Sequence, residues 1–255
     1  MRNSKLIVIT RRLLTPDKIP GINIAAWFST MESGSVILDG TTASQWSDIS
    51  GNNRHATQAT KANQPTYTPD GLNGKPVLTF DGVDDFFTMT SPVNADSVTL
   101  GCVYRLGSKN ANLGSYLLGA STPVGKLGYD DESRGMRIFS SSGGYFNSPL
   151  PASVRLAASI VTIAISSNVA TLYRSGTAIA GTVSLGANFQ PTNIGTYAGG
   201  IDGRFWSGIM SEIIICNSTL STANRQQFEG YLAWRRGLQA NLVNNHPFKF
   251  SPPYI

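Results

Sequence analysis

The feature that most constrains this chain is a succession of short β-branched or aromatic runs, each closed off by Gly, Pro, Asn or Asp. Ile22 to Phe28, Pro76 to Phe80, Asp85 to Thr90, Ser97 to Arg105 and Met136 to Ser140 each read as a strand, as do Val154 to Ser166, Val169 to Arg174, Ala178 to Leu185 and Phe205 to Cys216. Ser166-Ser167-Asn168 and Arg174-Ser175-Gly176-Thr177 are short enough to close hairpins, which predicts a meander on one sheet. Many short strands and tight turns make a sandwich or a barrel, and 26 Gly, 13 Pro and only 14% charged residues suit that better than a helical bundle. The convincing helix starts after the N-cap Ser221, presents Phe228, Tyr231 and Leu232 on one face, and stops at Gly237. The expected organisation is a basic arm over 1–20, a β-sandwich over 21–237 that includes the helix at about 221–236, and a proline-broken tail over 238–255. That tail is expected to lie over the sandwich or to bind a neighbour.

Arg2, Lys5, Arg11, Arg12 and Lys18 stand against Asp17 alone in the arm, which therefore carries +4 of the formal +5. The remainder is nearly neutral and shows no basic stripe with interleaved aromatics, so a nucleic-acid partner is not expected. The apolar run Leu6 to Ile9 is too short for a signal-peptide core and leads straight into Arg11 and Arg12, and no stretch approaches a membrane span. Synthesis in the cytoplasm without export is the expectation. Cys102 and Cys216 lie in apolar runs and read as buried thiols, with a disulfide between them left open.

Two segments carry a family likeness. Ala26-Trp27-Phe28, Val36 to Gly40, Gln45-Trp46-Ser47-Asp48, Ser50 to Asn53 and His55 to Gln58 lead on to Asn73-Gly74-Lys75-Pro76-Val77 and Phe80 to Asp85. Near the end stand Glu212 to Ile215, Leu220-Ser221, Glu229 to Trp234, Gly237-Leu238 and His246-Pro247-Phe248. Together they resemble the concanavalin A-like, laminin-G-like jelly-roll domains found in bacterial surface proteins and tailed-phage virion proteins. The resemblance implies an all-β, two-sheet antiparallel sandwich with one C-terminal helix. It also implies a non-enzymatic virion protein, a capsid decoration or a tail or fibre component, displayed on the particle surface. The arm would dock on other virion proteins, and symmetric homo-oligomers are common in such settings. The alternative is an adhesin for host surface glycans. A fold alone does not choose between these.

Glycan hydrolysis needs two carboxylates across one cleft. Glu32, Glu132, Glu212 and Glu229 are scattered, and no Glu-x-Asp-x-Glu strand pattern pairs them, so no catalytic residue is assigned. With only His55 and His246, neither a nucleophile triad nor a zinc site is expected. No cofactor is required by this reading. Calcium is the candidate metal, through Asp84, Asp130 and Asp131 with Asp81, Asp85 and Glu132 nearby, although Asp-rich turns commonly cap their own backbone. A sugar stacks its apolar face on an aromatic ring while its hydroxyls seek polar partners. Tyr129, Tyr145, Phe146, Tyr197, Asp202, Arg204 and Trp206, around Gly-rich loops, are the candidates for that task. Trp27 and Trp46 read as plugs for an open end of the sandwich, each indole N–H finding a carbonyl.

Overall fold

A computed structural model describes residues 11–107, 114–122, 124–129, 136–141, 156–179, 181–200 and 203–255. In chain order the strands are β1 (Ile24–Ser29), β2 (Val36–Asp39), β3 (Thr42–Trp46), β4 (Ala56–Thr57), β5 (Thr66–Leu72) and β6 (Lys75–Asp81). There follow β7 (Phe87–Met89), β8 (Val98–Leu106), β9 (Ser115–Gly119), β10 (Leu127–Tyr129), β11 (Met136–Ile138) and β12 (Ser159–Ser166). Last come β13 (Val169–Arg174), β14 (Thr177–Ala178), β15 (Val183–Ser184), β16 (Asn193–Ile194), β17 (Ser207–Cys216) and the helix α1 (Thr222–Arg236). All pairings are antiparallel.

The pairings form two layers. One runs β5–β6–β17–β8–β12–β13, with β1 beside the C-terminal half of β17. The other runs β2–β3–β4–β7–β16–β9–β10–β11, and the pair Thr42↔Thr66 links the two. This is the antiparallel sandwich with a C-terminal helix that the strand pattern predicts.

The central strands of the first layer, β8, β12 and β17, are buried on both faces. Leu100, Cys102 and Tyr104 of β8 and Val161 and Ile163 of β12 point between the layers, where Phe28, Trp46, Phe80, Phe87 and Leu118 also pack. Val103 and Ile160 point the other way, onto Phe228, Tyr231 and Leu232 of α1. Double burial explains why β8, β12 and β17 read as nearly continuous apolar runs instead of alternating ones. Gly101 marks the closest approach, since a Cβ there would stand 2.4 Å from the Phe228 ring. In β17 the register shifts between Met210 and Glu212. Met210 faces the inner core, and after the shift Ile213 and Ile215 do too, so the bulge reverses the alternation and turns Glu212 toward α1.

Glu212 is fully buried there, and so is Arg236. Trp27 Nε1 and Tyr231 Oη donate to Glu212 Oε1 at 3.0 Å each, and Arg236 Nε donates to Oε2 at 3.1 Å. The guanidinium also donates to Thr30 Oγ1, Ser29 Oγ and the Ser211 carbonyl, so β1, β17 and α1 meet at one ion pair. A second buried carboxylate, Glu229, takes Arg225 Nη1 at 2.5 Å and His246 Nε2 at 3.2 Å, which fastens the tail to the helix. Ser221 caps α1 by accepting from Asn224 N–H, and Gly237 ends it at φ 69°. Ser167 and Asn168, then Ser175 and Gly176, have positive φ, as the two-residue hairpin turns flanking β13 demand.

Several expectations need correction. Ala178 to Leu185 is not one strand, because the chain leaves the sheet after β14 and re-pairs only at β15. The sequence reading passed over β2, β3, β4, β5, β9, β10 and β16, of which β5 carries Pro69, Asp70 and Gly71 inside a register shift. The last half of the expected arm is packed on the domain. Leu14 and Ile19 are buried, Leu13 pairs with Tyr254, and Leu14 N–H donates to the Pro253 carbonyl. Arg11 lies over the Tyr254 ring, the Arg12 carbonyl accepts from Ile255, and Lys18 pairs with Asp17, while Arg2 and Lys5 lie outside the described residues. Trp27 finds a carboxylate, not a carbonyl, and Trp46 is buried with no hydrogen-bond partner for its indole among the described residues. Cys102 and Cys216 are buried free thiols; burial pushes Cys102 far up and Cys216 up to about 12.

Replacing Glu212 with Leu strands the Arg236 charge in the interior and is expected to lower the unfolding free energy by about 3–5 kcal/mol in urea titrations. Arg235→Ala, at a partly exposed pair with Glu32, is expected to cost less than about 1 kcal/mol. Equal losses in the two variants would show that the buried pair does not hold the helix.

Candidate functional site

The sugar-site candidates divide. Tyr129 is interior: its ring packs edge-on to Tyr104, and its hydroxyl lies 2.7 Å from Tyr104 Oη and accepts from Arg174 Nη1 at 3.2 Å. Trp206 is fully buried, with its ring at 87° to that of Tyr104. Both belong to the core between the layers, so neither is a platform for a ligand. Strand parity is the reason for Tyr129, which shares the inward face of β10 with Leu127. Tyr145, Phe146 and Asp202 lie outside the described residues.

Tyr197 and Arg204 do come together. The pair Thr196↔Phe205 and a bond from Tyr197 N–H to the Arg204 carbonyl set them side by side, with the guanidinium carbon 4.6 Å from the ring centroid. Lys126 Nζ stands 3.7 Å from the same centroid. The Tyr197 ring meets Tyr116 edge-on at 4.9 Å and Phe139 at 5.7 Å, and Arg137 lies over Phe139 at 5.0 Å. These side chains occupy the outer side of the second layer, opposite to the inward-facing Leu127, Tyr129, Met136 and Ile138 of the β10–β11 hairpin. Gly128 makes room, since a Cβ there would stand 2.8 Å from Tyr116 Cδ1. Tyr197, Phe139 and Arg204 remain partly exposed. The hairpin then runs into an open cleft of about 400 Å³ whose walls include Val124, Ser141, Asn94, Asn188, Thr122 and Gln190.

Aromatic rings flanked by cations, next to amides and hydroxyls, can stack an apolar ligand face and bind its oxygens. Lys126, Arg137, Tyr116 and Phe139 were not singled out from sequence. The signal lay in Lys126-Leu127-Gly128-Tyr129, an alternation too short to register as a strand.

Asp84 meets Asp81 and Asp85, their carboxylate oxygens within 4.8 Å of one another; Asp130 and Asp131 lie outside the described residues. The turn itself uses these groups: Asp85 Oδ2 accepts from Asp81 N–H, and Asp81 Oδ1 accepts from Val83 N–H. Burial, reinforced by the neighbouring carboxylates, pushes the Asp85 carboxyl up to about 6. Of the glutamates weighed for hydrolysis, Glu212 and Glu229 are spent on internal partners, Glu32 pairs with Arg235, and Glu132 lies outside the described residues.

No family model and no curated protein matches the sequence. Solved structures do resemble it. The binding domain of Paraclostridial Mosquitocidal Protein 1 superposes with a TM-score of 0.59 at 14% identity, over 82% of this chain and 52% of that one. A Trypanosoma rangeli sialidase gives 0.57 at 15% identity, over 89% of this chain and 36% of that one. Domain 4 of AbnA, a GH43 extracellular arabinanase from Geobacillus stearothermophilus, solved in complex with arabinotriose, gives 0.53 at 13% identity over 80% of this chain and 96% of that one. The chain thus spans about half of the first protein and about a third of the sialidase, but nearly all of the arabinanase domain. At these identities the likeness establishes a shared β-sandwich fold.

The unfolded chain releases the Asp85 proton near the ordinary ~3.9, whereas the folded protein keeps it to about 6. Stability should therefore fall as pH rises through roughly 4 to 6. Asp85→Asn is expected to abolish that fall, its urea midpoint staying level across the same pH range. Calcium bound at the cluster would favour the ionised carboxylates and shrink the fall; identical curves in millimolar calcium and in chelator would remove calcium from this turn.

Proposed function

We propose that this chain is a non-catalytic carbohydrate-binding sandwich that engages glycans through Tyr197, Arg204 and Phe139 on the outer side of its second layer, with buried Lys126 supporting the Tyr197 ring. The observation that carries the reading is the partly exposed Tyr197 ring, with the Arg204 and Lys126 cations against it and Phe139 at its edge. The arabinanase domain, a sandwich of nearly the same extent solved with arabinotriose, lends it support, as does the binding domain of the mosquitocidal protein. A binding role without turnover fits the engagement of Glu212 and Glu229 by internal partners. Display on a virion, with host surface glycans as the target, would extend the same reading; that extension rests on the sequence resemblance and draws nothing from the structural likenesses.

A glycan array with the full-length protein is expected to give saturable binding that weakens about tenfold or more in Tyr197→Ser and Arg204→Ala. Tyr129→Phe, in the core, should leave affinity unchanged. Thermal melts within a few degrees of wild type would separate lost binding from lost fold, and silence across the array would refute the proposal.

A further inference from the structure

A second cleft, of about 490 Å³, opens on the far side of the sandwich, where Asp17, Asn23 and Ile24 face Ile49 and Ser50 across the indole of Trp27. Trp27 is partly exposed although it borders the outer core. Its ring is held in place: Nε1 donates to Glu212, the edge packs on Tyr231 at 6.2 Å, and the backbone N–H donates to Asp48 Oδ1 at 2.9 Å. The opposite wall is fastened to the same strand. Buried Asp48 also accepts from Ser50 N–H and Arg54 N–H, Ile49 N–H donates to the Trp27 carbonyl, and Asn52 Nδ2 donates to the Ile24 carbonyl. The loop after β3 and the segment before β1 therefore present a rigid, preformed cleft.

We infer that this cleft is a separate saccharide site that takes a neutral sugar. It rests on the carbohydrate-binding reading for the class of ligand, and on its own geometry for the site. A pyranose or furanose offers an apolar C–H face and a rim of hydroxyls; Trp27 with Ile24 and Ile49 matches the face, and Asp17 and Asn23 match the rim. The volume lies within the ~300–1,000 Å³ usual for small-molecule sites. Charge sets the selectivity. Asp17 is exposed and pairs with Lys18 at 2.8 Å, so the rim here presents no net positive charge to attract a carboxylate-bearing sugar, unlike the cation-flanked Tyr197. Among the described residues Asn23 contributes its backbone carbonyl to the fold, accepting from Asn217 N–H, and its side chain is exposed.

The indole itself reports occupancy. Trp46 and Trp206 are fully buried, so in a Trp234→Phe background Trp27 is the solvent-facing indole. Titration of that protein with arabinotriose and with cellotriose is expected to give a saturable change in Trp emission for at least one of them. The change should weaken about tenfold in Asp17→Ala/Asn23→Ala and persist in Tyr197→Ser/Arg204→Ala. A change indifferent to the Asp17 and Asn23 substitutions, or abolished only with Tyr197 and Arg204, would overturn the second site while leaving the carbohydrate-binding reading intact. Array binding through Tyr197 without any Trp27 response would do the same. No response in either assay would overturn both.

Discussion

Removing the Arg236 guanidinium and the Glu212 carboxylate from water carries a penalty of several kcal/mol per ion, which a buried pair offsets only when the remaining hydrogen-bonding positions are filled. Here they are: the guanidinium reaches two hydroxyls and a carbonyl besides its partner, and the carboxylate takes an indole and a phenol as well. The arrangement exists only because the bulge in β17 turns Glu212 away from the inner core. The position of α1, the orientation of Trp27 and the seating of β1 all follow from that one reversal. Burial of this kind adds little net stability, whereas removal of one partner leaves the other charge stranded.

The parts of this architecture that were legible in the sequence are those with strong local signals. Ser221 and Gly237 bracket the helix by capping chemistry, and Ser167-Asn168 and Ser175-Gly176 mark hairpins by their tolerance of positive φ. Strands β8, β12 and β17 are apolar on both faces and so announce themselves. Strands such as β3, Thr-Ala-Ser-Gln-Trp, and β10, only Leu-Gly-Tyr, draw their identity from partners far away in the chain. The same limit governs the candidate sites. Tyr129 and Trp206 have the composition of a sugar platform but the parity of core residues, whereas Lys126 and Arg137 acquire meaning only when the β10–β11 register sets them around Tyr197 and Phe139. Arg236 gave no hint, because a C-terminal arginine on a helix is ordinarily a solvated partner of the dipole.

The sandwich supplies its two clefts by different means. The Tyr197 face is built on strands and a hairpin, with glycine at 128 leaving room for the Tyr116 ring. The Trp27 cleft is built on a loop, but one whose backbone amides are gathered by a single buried carboxylate, Asp48. Both are organised by internal contacts of the fold itself, and preorganisation of this kind is what keeps ordering entropy out of a binding step.

The pairing of Leu13 with Tyr254 has a mechanical consequence. Residues 12–14 and 253–255 run antiparallel, with Arg12 beside Ile255 and Leu14 beside Pro253, so the two backbones diverge from the same end of a short ribbon. Tension applied between those ends would open the ribbon like a zipper, one hydrogen bond after another, instead of shearing several bonds at once. The ribbon would thus yield at low force and act as a fuse, leaving the layered core behind it unloaded until the tail is drawn off the helix.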